Sequence, residues 1–215
     1  IALNIIYEDD AILVLDKPPG LAVHPTATRF KATVTWWLAT HRPGIKVEPA
    51  HRLDLETSGV LICSKSTKVD RILKAAFATS KIEKRYIALV SKPPLEKRWT
   101  VSTPLGFDGS SKVRIKMGSG SLNAQTDFEV LERWPGLTMV EAIPKTGRQH
   151  QIRVHLAMAG FPILGDKLYG PNEALFLAHL DRDLEPEEFD LLGHHRLALH
   201  ATEISLNLDG RGMTF

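Results

Sequence analysis

The feature that most constrains this chain is an alternation, Ala124, Thr126, Phe128, Val130, followed by Trp134-Pro-Gly136 and a second apolar run from Leu137 to Ile143. Side chains that alternate in polarity line the two faces of a strand, and a Pro-Gly pair reverses the chain tightly. The pattern therefore predicts a long antiparallel hairpin, which a chain built only from βαβ units would not contain. Ile12 to Leu15 reads as a strand stopped by Asp16-Lys-Pro-Pro-Gly20, because proline cannot donate to a ladder. Tyr86 to Val90 reads as a buried strand ended by Pro93-Pro94, and Leu197, Leu199 and Ala201 open a late strand that finishes at Asp209-Gly210.

Helices are fewer. Val69, Ile72, Leu73, Ala76 and Phe77 form a stripe at helical spacing after Ser66. Thr33 to Thr40 and Gln149 to Ala159 read as two more, the second closed by Gly160, and Asn172 reads as the cap of a fourth. Gly118-Ser-Gly-Ser121 reads as a loop tip. Strands joined by hairpins with few helices make the fold α+β, with a mixed, mostly antiparallel central sheet flanked by helices and loops.

At 215 residues, 43% of them hydrophobic, the chain is long enough to bury a core without a disulfide or metal staple. No repeat and no Gly/Ser linker divides it, so residues 1–215 are read as one domain. The one cysteine, Cys63, sits in the apolar run Gly59-Val-Leu-Ile-Cys63, which favours burial as a small hydrophobe and a reducing, cytoplasmic home. No apolar run approaches the length of a membrane span, and Ile1 to Tyr7 lacks the basic start of a secretory signal.

Net charge is only +2, so bulk charge says little about a polyanionic partner. Its distribution says more. Lys65, Lys68, Arg71, Lys74, Lys81, Lys84 and Arg85 crowd one stretch against Asp70 and Glu83, while Asp181 to Asp190 is acidic.

Two segments concentrate ionisable groups. His51-Arg-Leu-Asp-Leu-Glu-Thr-Ser-Gly59 precedes an apolar strand, and reads either as a reactive loop or as a solvated turn whose Thr57 and Ser58 cap local backbone. Asp54 and Glu56 also allow an acid and base pair of hydrolytic type, although neighbours two apart project differently on a strand. Pro144-Lys-Thr-Gly-Arg-Gln-His-Gln-Ile-Arg153 opens a helix, and its Arg148, His150 and Arg153 suit either phosphate at a helix N-terminus or an ordinary basic face. Tyr86, by itself, reads as a core residue with its hydroxyl at the surface. Histidine spacing fits no ordinary zinc site and there is no Cys pair, so no metal is expected, and the absence of both phosphate-cradle glycine motifs removes the usual nucleotide-binding signatures.

Taken together, the motifs resemble the RluA family of pseudouridine synthases over nearly the whole chain. They are Tyr7-Glu-Asp-Asp-Ala-Ile-Leu-Val-Leu-Asp-Lys-Pro-Pro-Gly-Leu-Ala-Val-His-Pro25, His51 to Gly59, Lys84-Arg-Tyr86, Thr146-Gly-Arg-Gln-His-Gln-Ile-Arg-Val-His-Leu156, Gly165-Asp-Lys-Leu-Tyr-Gly170 and Leu199-His-Ala201. The resemblance implies isomerisation of uridine in RNA, breaking N1–C1′ and joining C5 to C1′, without a cofactor. Asp54 matches the essential aspartate, whether it attacks C1′, adds to C6 or removes the 2′ proton. Tyr86 matches the tyrosine that stacks on uracil, and Arg153 the arginine paired with the aspartate.

Arg52 matches a residue that enters the space a flipped base vacates, and Leu199 an apolar pocket wall. Arg148 and His150 are expected to position the RNA backbone or brace the site. The expected partner is RNA, ribosomal first and transfer RNA second, bound by a monomer with no membrane partner. A non-catalytic RNA-binding member of the fold is the other reading. Many relatives carry an N-terminal S4-like domain; none is visible before Ile1, so 1–215 are read as the catalytic domain.

Overall fold

The computed structural model describes residues 2–26, 30–92 and 94–215. Pro93 of the expected strand stop lies outside them. In chain order the elements are β1 (Asn4–Glu8), β2 (Ile12–Lys17), α1 (Val34–His41), β3 (Glu48–Pro49), β4 (Ser58–Ser64), α2 (Thr67–Ala78), β5 (Glu83–Val90), β6 (Arg98–Val101), β7 (Leu105–Phe107), β8 (Met117–Ser119), β9 (Thr126–Trp134), β10 (Leu137–Pro144), α3 (Gln151–Met158), α4 (Ala174–Asp181), α5 (Pro186–Leu192), β11 (Leu199–Leu208) and β12 (Arg211–Thr214). They fall into two compact units, Ile1–Lys84 with His200–Phe215, and Arg85–Leu199.

In the first unit β2 lies antiparallel between β1 and β4, running from Ile12 opposite Ser64 to Lys17 opposite Gly59. On the other edge of β4, β3 pairs antiparallel near its end, and β11 pairs parallel through His200 opposite Ser58 and Ala201 opposite Gly59. Every residue of β4 is buried, as a strand covered on both faces must be. Gly59 is there of necessity: its φ is +109° and a Cβ would collide with the Ala201 carbonyl. The core joins Ile12, Val14, Val60 and Ile62 to Val69 and Leu73 of α2 and to Ile204, Leu206 and Leu208 of β11. As the stripe predicts, α2 starts at its Ser66 cap, whose Oγ accepts the Val69 N–H. Thr33 caps α1 in the same way.

In the second unit the hairpin forms as the alternation predicts, Leu137 opposite Trp134 and Pro144 opposite Thr126, with one bulge at Met139/Val140. β10 continues antiparallel to β5, and β9 to β6. β7 and β8 make a separate two-stranded sheet. The core packs Leu105, Val113 and Met117 against Val154 of α3 and against Leu168 and Tyr169. The α+β class with a mixed, mostly antiparallel sheet is what the sequence predicts. Three local readings change. The Gly118–Ser121 stretch is not wholly a loop tip, because Gly118 and Ser119 belong to β8. The residue capping α4 is Glu173, and Asn172 sits one place earlier, its Oδ1 accepting the Ala174 N–H. Finally, the acidic stretch hides α5, started by Pro186 and a reciprocal capping pair of Glu185 and Glu188.

Candidate active site

In the first unit the His51–Thr57 loop links β3 to β4 and is anchored at both ends and in its middle. His51 Nε2 accepts the Ile62 N–H at 3.1 Å, and its ring stacks on Phe77 of α2 with centroids 4.5 Å apart. Burial, with the Lys84 charge added, pushes the His51 imidazole down to about 3, so it is a neutral acceptor at working pH. Thr57 N–H donates to the Asp54 carbonyl at 3.2 Å, closing the turn that carries Asp54.

The middle is held by Lys17, at the end of β2, whose side chain has no solvent exposure. Its Nζ donates to three carbonyls: Pro18 at 2.9 Å, Leu21 at 2.8 Å and Leu55 at 3.1 Å. Gly20 N–H reaches the same Leu55 carbonyl at 2.9 Å. The Asp16–Gly20 turn is thereby stapled to the residue after Asp54. Burial pushes the Lys17 ammonium down to about 8, and the nearby Asp54 carboxylate pulls the other way. The cation therefore serves twice, ordering the loop backbone and supplying positive potential at the carboxylate. Asp54 itself is half-buried and Arg52 is exposed. Residue type alone does not mark Lys17; the signal the sequence offers is a lysine that ends an apolar strand and precedes Pro-Pro.

The second unit holds Tyr86, Arg148, His150, Arg153 and Leu199. Tyr86 lies on β5 opposite Ala142 and is 9% exposed, and Leu199 is buried at the head of β11. Thr146 to Gln151 is a tight entry to α3 organised by Gln151. Its Oε1 accepts from Thr146 Oγ1 at 2.7 Å and from the Arg148 N–H at 3.0 Å, and its Nε2 donates to the Gln125 carbonyl and to Thr126 Oγ1. Arg148 is exposed, with Nε on the Asn123 carbonyl. His150 takes a left-handed backbone, φ +54°, unusual for a residue with a Cβ.

His150 and Arg153 converge on Tyr169. His150 Nδ1 is 2.8 Å from the Tyr169 hydroxyl, which also accepts the Met117 N–H at 2.9 Å, and the Arg153 guanidinium lies 5.0 Å from the Tyr169 ring centroid. Arg153 forks onto Asp166, Nε to Oδ2 at 2.8 Å and Nη2 to Oδ1 at 2.9 Å. Burial would raise the Asp166 pKa, but the Arg153 charge, its hydrogen bonds and two backbone N–H donors outweigh it and hold the carboxyl below its usual range. Neither Asp166 nor Tyr169 was singled out by residue type; an arginine in an apolar-faced helix demands a buried anion, and Gly165-Asp-Lys-Leu-Tyr-Gly170 supplies it.

The basic stretch is partly spent on structure. Lys65 binds Glu8 and the Asp9 carbonyl, Lys74 pairs with Asp70, Arg85 with Glu141, and Lys84 is buried. Lys68, Arg71 and Lys81 remain exposed. Cys63 is a buried thiol, pushed up by burial, which fits packing and not nucleophilic work. Among the described residues no group of three or more His, Cys, Asp or Glu side chains is placed to hold a metal, and no helix is long and apolar enough to cross a membrane.

The chain belongs to the RNA pseudouridylate synthase family, whose model matches residues 11–158, and the RluA resemblance drawn from the motifs stands. Among curated relatives, it is 35% identical over 184 residues to "Uncharacterized RNA pseudouridine synthase YlyB" of Bacillus subtilis, covering 80% of this chain and 59% of that protein. It is 35% identical over 211 residues to "Ribosomal large subunit pseudouridine synthase D" of Nitrosomonas europaea, covering 96% and 58%. The chain thus spans somewhat under two thirds of these relatives. A solved structure, "Human RNA Pseudouridylate Synthase Domain Containing 1", superposes with a TM-score of 0.78 at 25% identity, covering 100% of this chain and 82% of that one.

Proposed function

We propose that this chain is the catalytic part of an RNA pseudouridine synthase, an isomerase that converts specific uridines of structured RNA, ribosomal RNA foremost, with no cofactor. The observation that carries the reading is the Asp54 loop: a half-buried carboxylate in the motif His51 to Gly59, on a loop whose backbone is held by the fully buried Lys17 and by the neutral His51. The names of relatives support the ribosomal choice, since several are large-subunit rRNA pseudouridine synthases. A cytoplasmic, monomeric enzyme acting on RNA is the corresponding setting, and residues 1–215 constitute its catalytic domain.

The chemistry assigns each residue a task. A uridine must leave its stack before C1′ and C5 are accessible, and unstacking costs a few kcal/mol that protein contacts offset. Arg52, exposed beside the nucleophile, fills the vacated space. Asp54 acts as nucleophile, dividing the exchange of one glycosidic bond for another into easier steps. The Asp54 carboxylate joins C1′ as N1–C1′ breaks, the uracil turns, C5–C1′ forms as the Asp54–C1′ bond breaks and frees the carboxylate, the C5 proton leaves to solvent and N1 gains one. By the family resemblance Tyr86 is the residue that stacks on the uracil, Leu199 an apolar wall and Arg153 the site's permanent cation, a role that suits a group that never deprotonates. Arg148 and His150 brace the RNA backbone.

Loss of the C5 proton supplies the test. RNA carrying C5-tritiated uridine should release tritium with the wild type, and Asp54→Ala should abolish release, by a factor on the order of 10⁴ or more, while the thermal transition is kept. Release limited to transfer RNA would move the substrate; binding without release from any RNA would establish the non-catalytic reading. Full release by Asp54→Ala would remove the nucleophile.

A further inference from the structure

We propose that Asp166 and the ring of Tyr169 are positioning residues for Arg153, and that the Gly165–Gly170 turn serves to aim its guanidinium. This rests on the functional reading above and adds to it the part that fixes the direction of the cation.

An arginine side chain carries about 2 kcal/mol of rotamer entropy, so an unsupported guanidinium points many ways. Here the fork through Nε and Nη2 fixes both the plane of the group and the direction in which Nη1 points. The Tyr169 ring covers one face of that plane at 5.0 Å. The cradle is itself rigid. Asp166 is 1% exposed and accepts four hydrogen bonds, two from Arg153 and one each from the Leu168 and Tyr169 N–H groups at 3.0 Å. Three of these donors meet Oδ1 and one Oδ2, and the carboxylate has no side-chain exposure, so Asp166 faces Arg153 and its own turn rather than solvent.

The backbone beneath it has little room to relax. Gly165 has φ +74° and its Cβ would strike the Arg196 carbonyl, while a Cβ on Gly170 would strike that of Asp166. The Tyr169 hydroxyl is tied to the Met117 N–H and sits 2.8 Å from His150 Nδ1, which locks the ring from its far end. Arg153 keeps 11% of its side chain in solvent against none for Asp166. A pair serving only to staple α3 to this turn would not require its cation to reach the surface.

The test uses the whole chain, with Asp166→Asn, which keeps the shape and removes the charge, and Tyr169→Leu, which removes the ring face. In single-turnover tritium release, Asp166→Asn should slow the reaction about 100-fold, and Tyr169→Leu about tenfold, with the Kd for the same RNA within threefold of wild type. In an Arg153→Ala background neither change should slow release further, the sign that both act through the arginine. Wild-type rates, a parallel loss of RNA affinity, or full additive losses in that background would each overturn the proposal. Should Asp166→Asn not fold, Tyr169→Leu decides by the same criteria. The Arg153 Nε–H resonance gives a readout independent of turnover. Asp166→Asn should shift it and speed its exchange, and an unmoved resonance overturns the proposal even if the wild type releases tritium from no RNA, the result that would instead sink the functional reading.

Discussion

The two anchored sites, the Asp54 loop in one unit and the Arg153 fork in the other, are built on opposite plans. In the first the buried charge is a cation, Lys17, and its three acceptors are backbone carbonyls, so what it holds is the path of the chain. In the second the buried charge is an anion, Asp166, and two of its four donors belong to one side chain, so what it holds is the direction of a functional group. Asp54 is placed by ordering backbone; Arg153 is placed directly. A short side chain with few rotamers needs only its Cα fixed, whereas a long one needs its far end gripped.

Removal of Lys17 is the strongest way to break that contrast. Lys17→Met keeps length and burial but leaves three carbonyls without their shared donor, and should lower the unfolding free energy by about 3 kcal/mol. Urea denaturation measures the total. Amide exchange locates it: Gly20 and Thr57 N–H should exchange faster by a larger factor than Leu168 and Tyr169 N–H. Equal acceleration in both places would mean that Lys17 supports the molecule at large rather than its own loop.

The pH windows sharpen the comparison further. His51 is held neutral down to about 3, against 6.5 for a free imidazole, so between those values the unfolded chain binds a proton that the folded one does not. Stability from this group therefore falls as pH drops below 6.5, by about 1.4 kcal/mol per pH unit, until the folded imidazole also titrates. His51→Gln retains an acceptor for the Ile62 N–H and removes the titration, so its acid limb should be flatter by that slope. Asp166 works in a lower window. Its carboxyl is depressed below 3.8, so its contribution is present above that value and is lost only as pH falls through the folded pKa. Mild acid should thus loosen the His51 end first; a wild-type curve that parallels His51→Gln would remove the neutral-histidine anchor.

These anchors also mark the boundary of what could be read from the chain. The hairpin, the α2 stripe and the Asp54 loop were legible because each is a local pattern: alternation with Pro-Gly, helical spacing after a serine, polar density before an apolar run. β1 and β6 were not, since their residues are mostly exposed or half-exposed and carry no clean alternation. α5 was hidden because its cap is a glutamate where serine or threonine is the usual signal. Lys17, Gln151, Asp166 and Tyr169 stood within quoted motifs, yet nothing local says that they are buried. Each has one partner 13 to 52 residues away, Arg153 for Asp166, the Gln125 carbonyl for Gln151, the Leu55 carbonyl for Lys17 and the Met117 N–H for Tyr169, and only the fold closes those distances.

The smallest effect probes the surface beside the second anchor. Arg148 is exposed, and it organises α3 through its backbone, the N–H on Gln151 Oε1 and the carbonyl that accepts the Gln151 N–H, both of which any side chain leaves intact. Arg148→Ala should therefore leave stability within about 0.5 kcal/mol of wild type. If its guanidinium meets phosphate, the variant should bind all RNAs more weakly by a similar factor, and the slope of log K against log salt should shrink by about 1. An unchanged slope with weaker binding would make Arg148 a brace for the Asn123 backbone through its Nε instead. Either result separates the role of Arg148 from that of Arg153, whose loss should slow turnover more than it weakens binding.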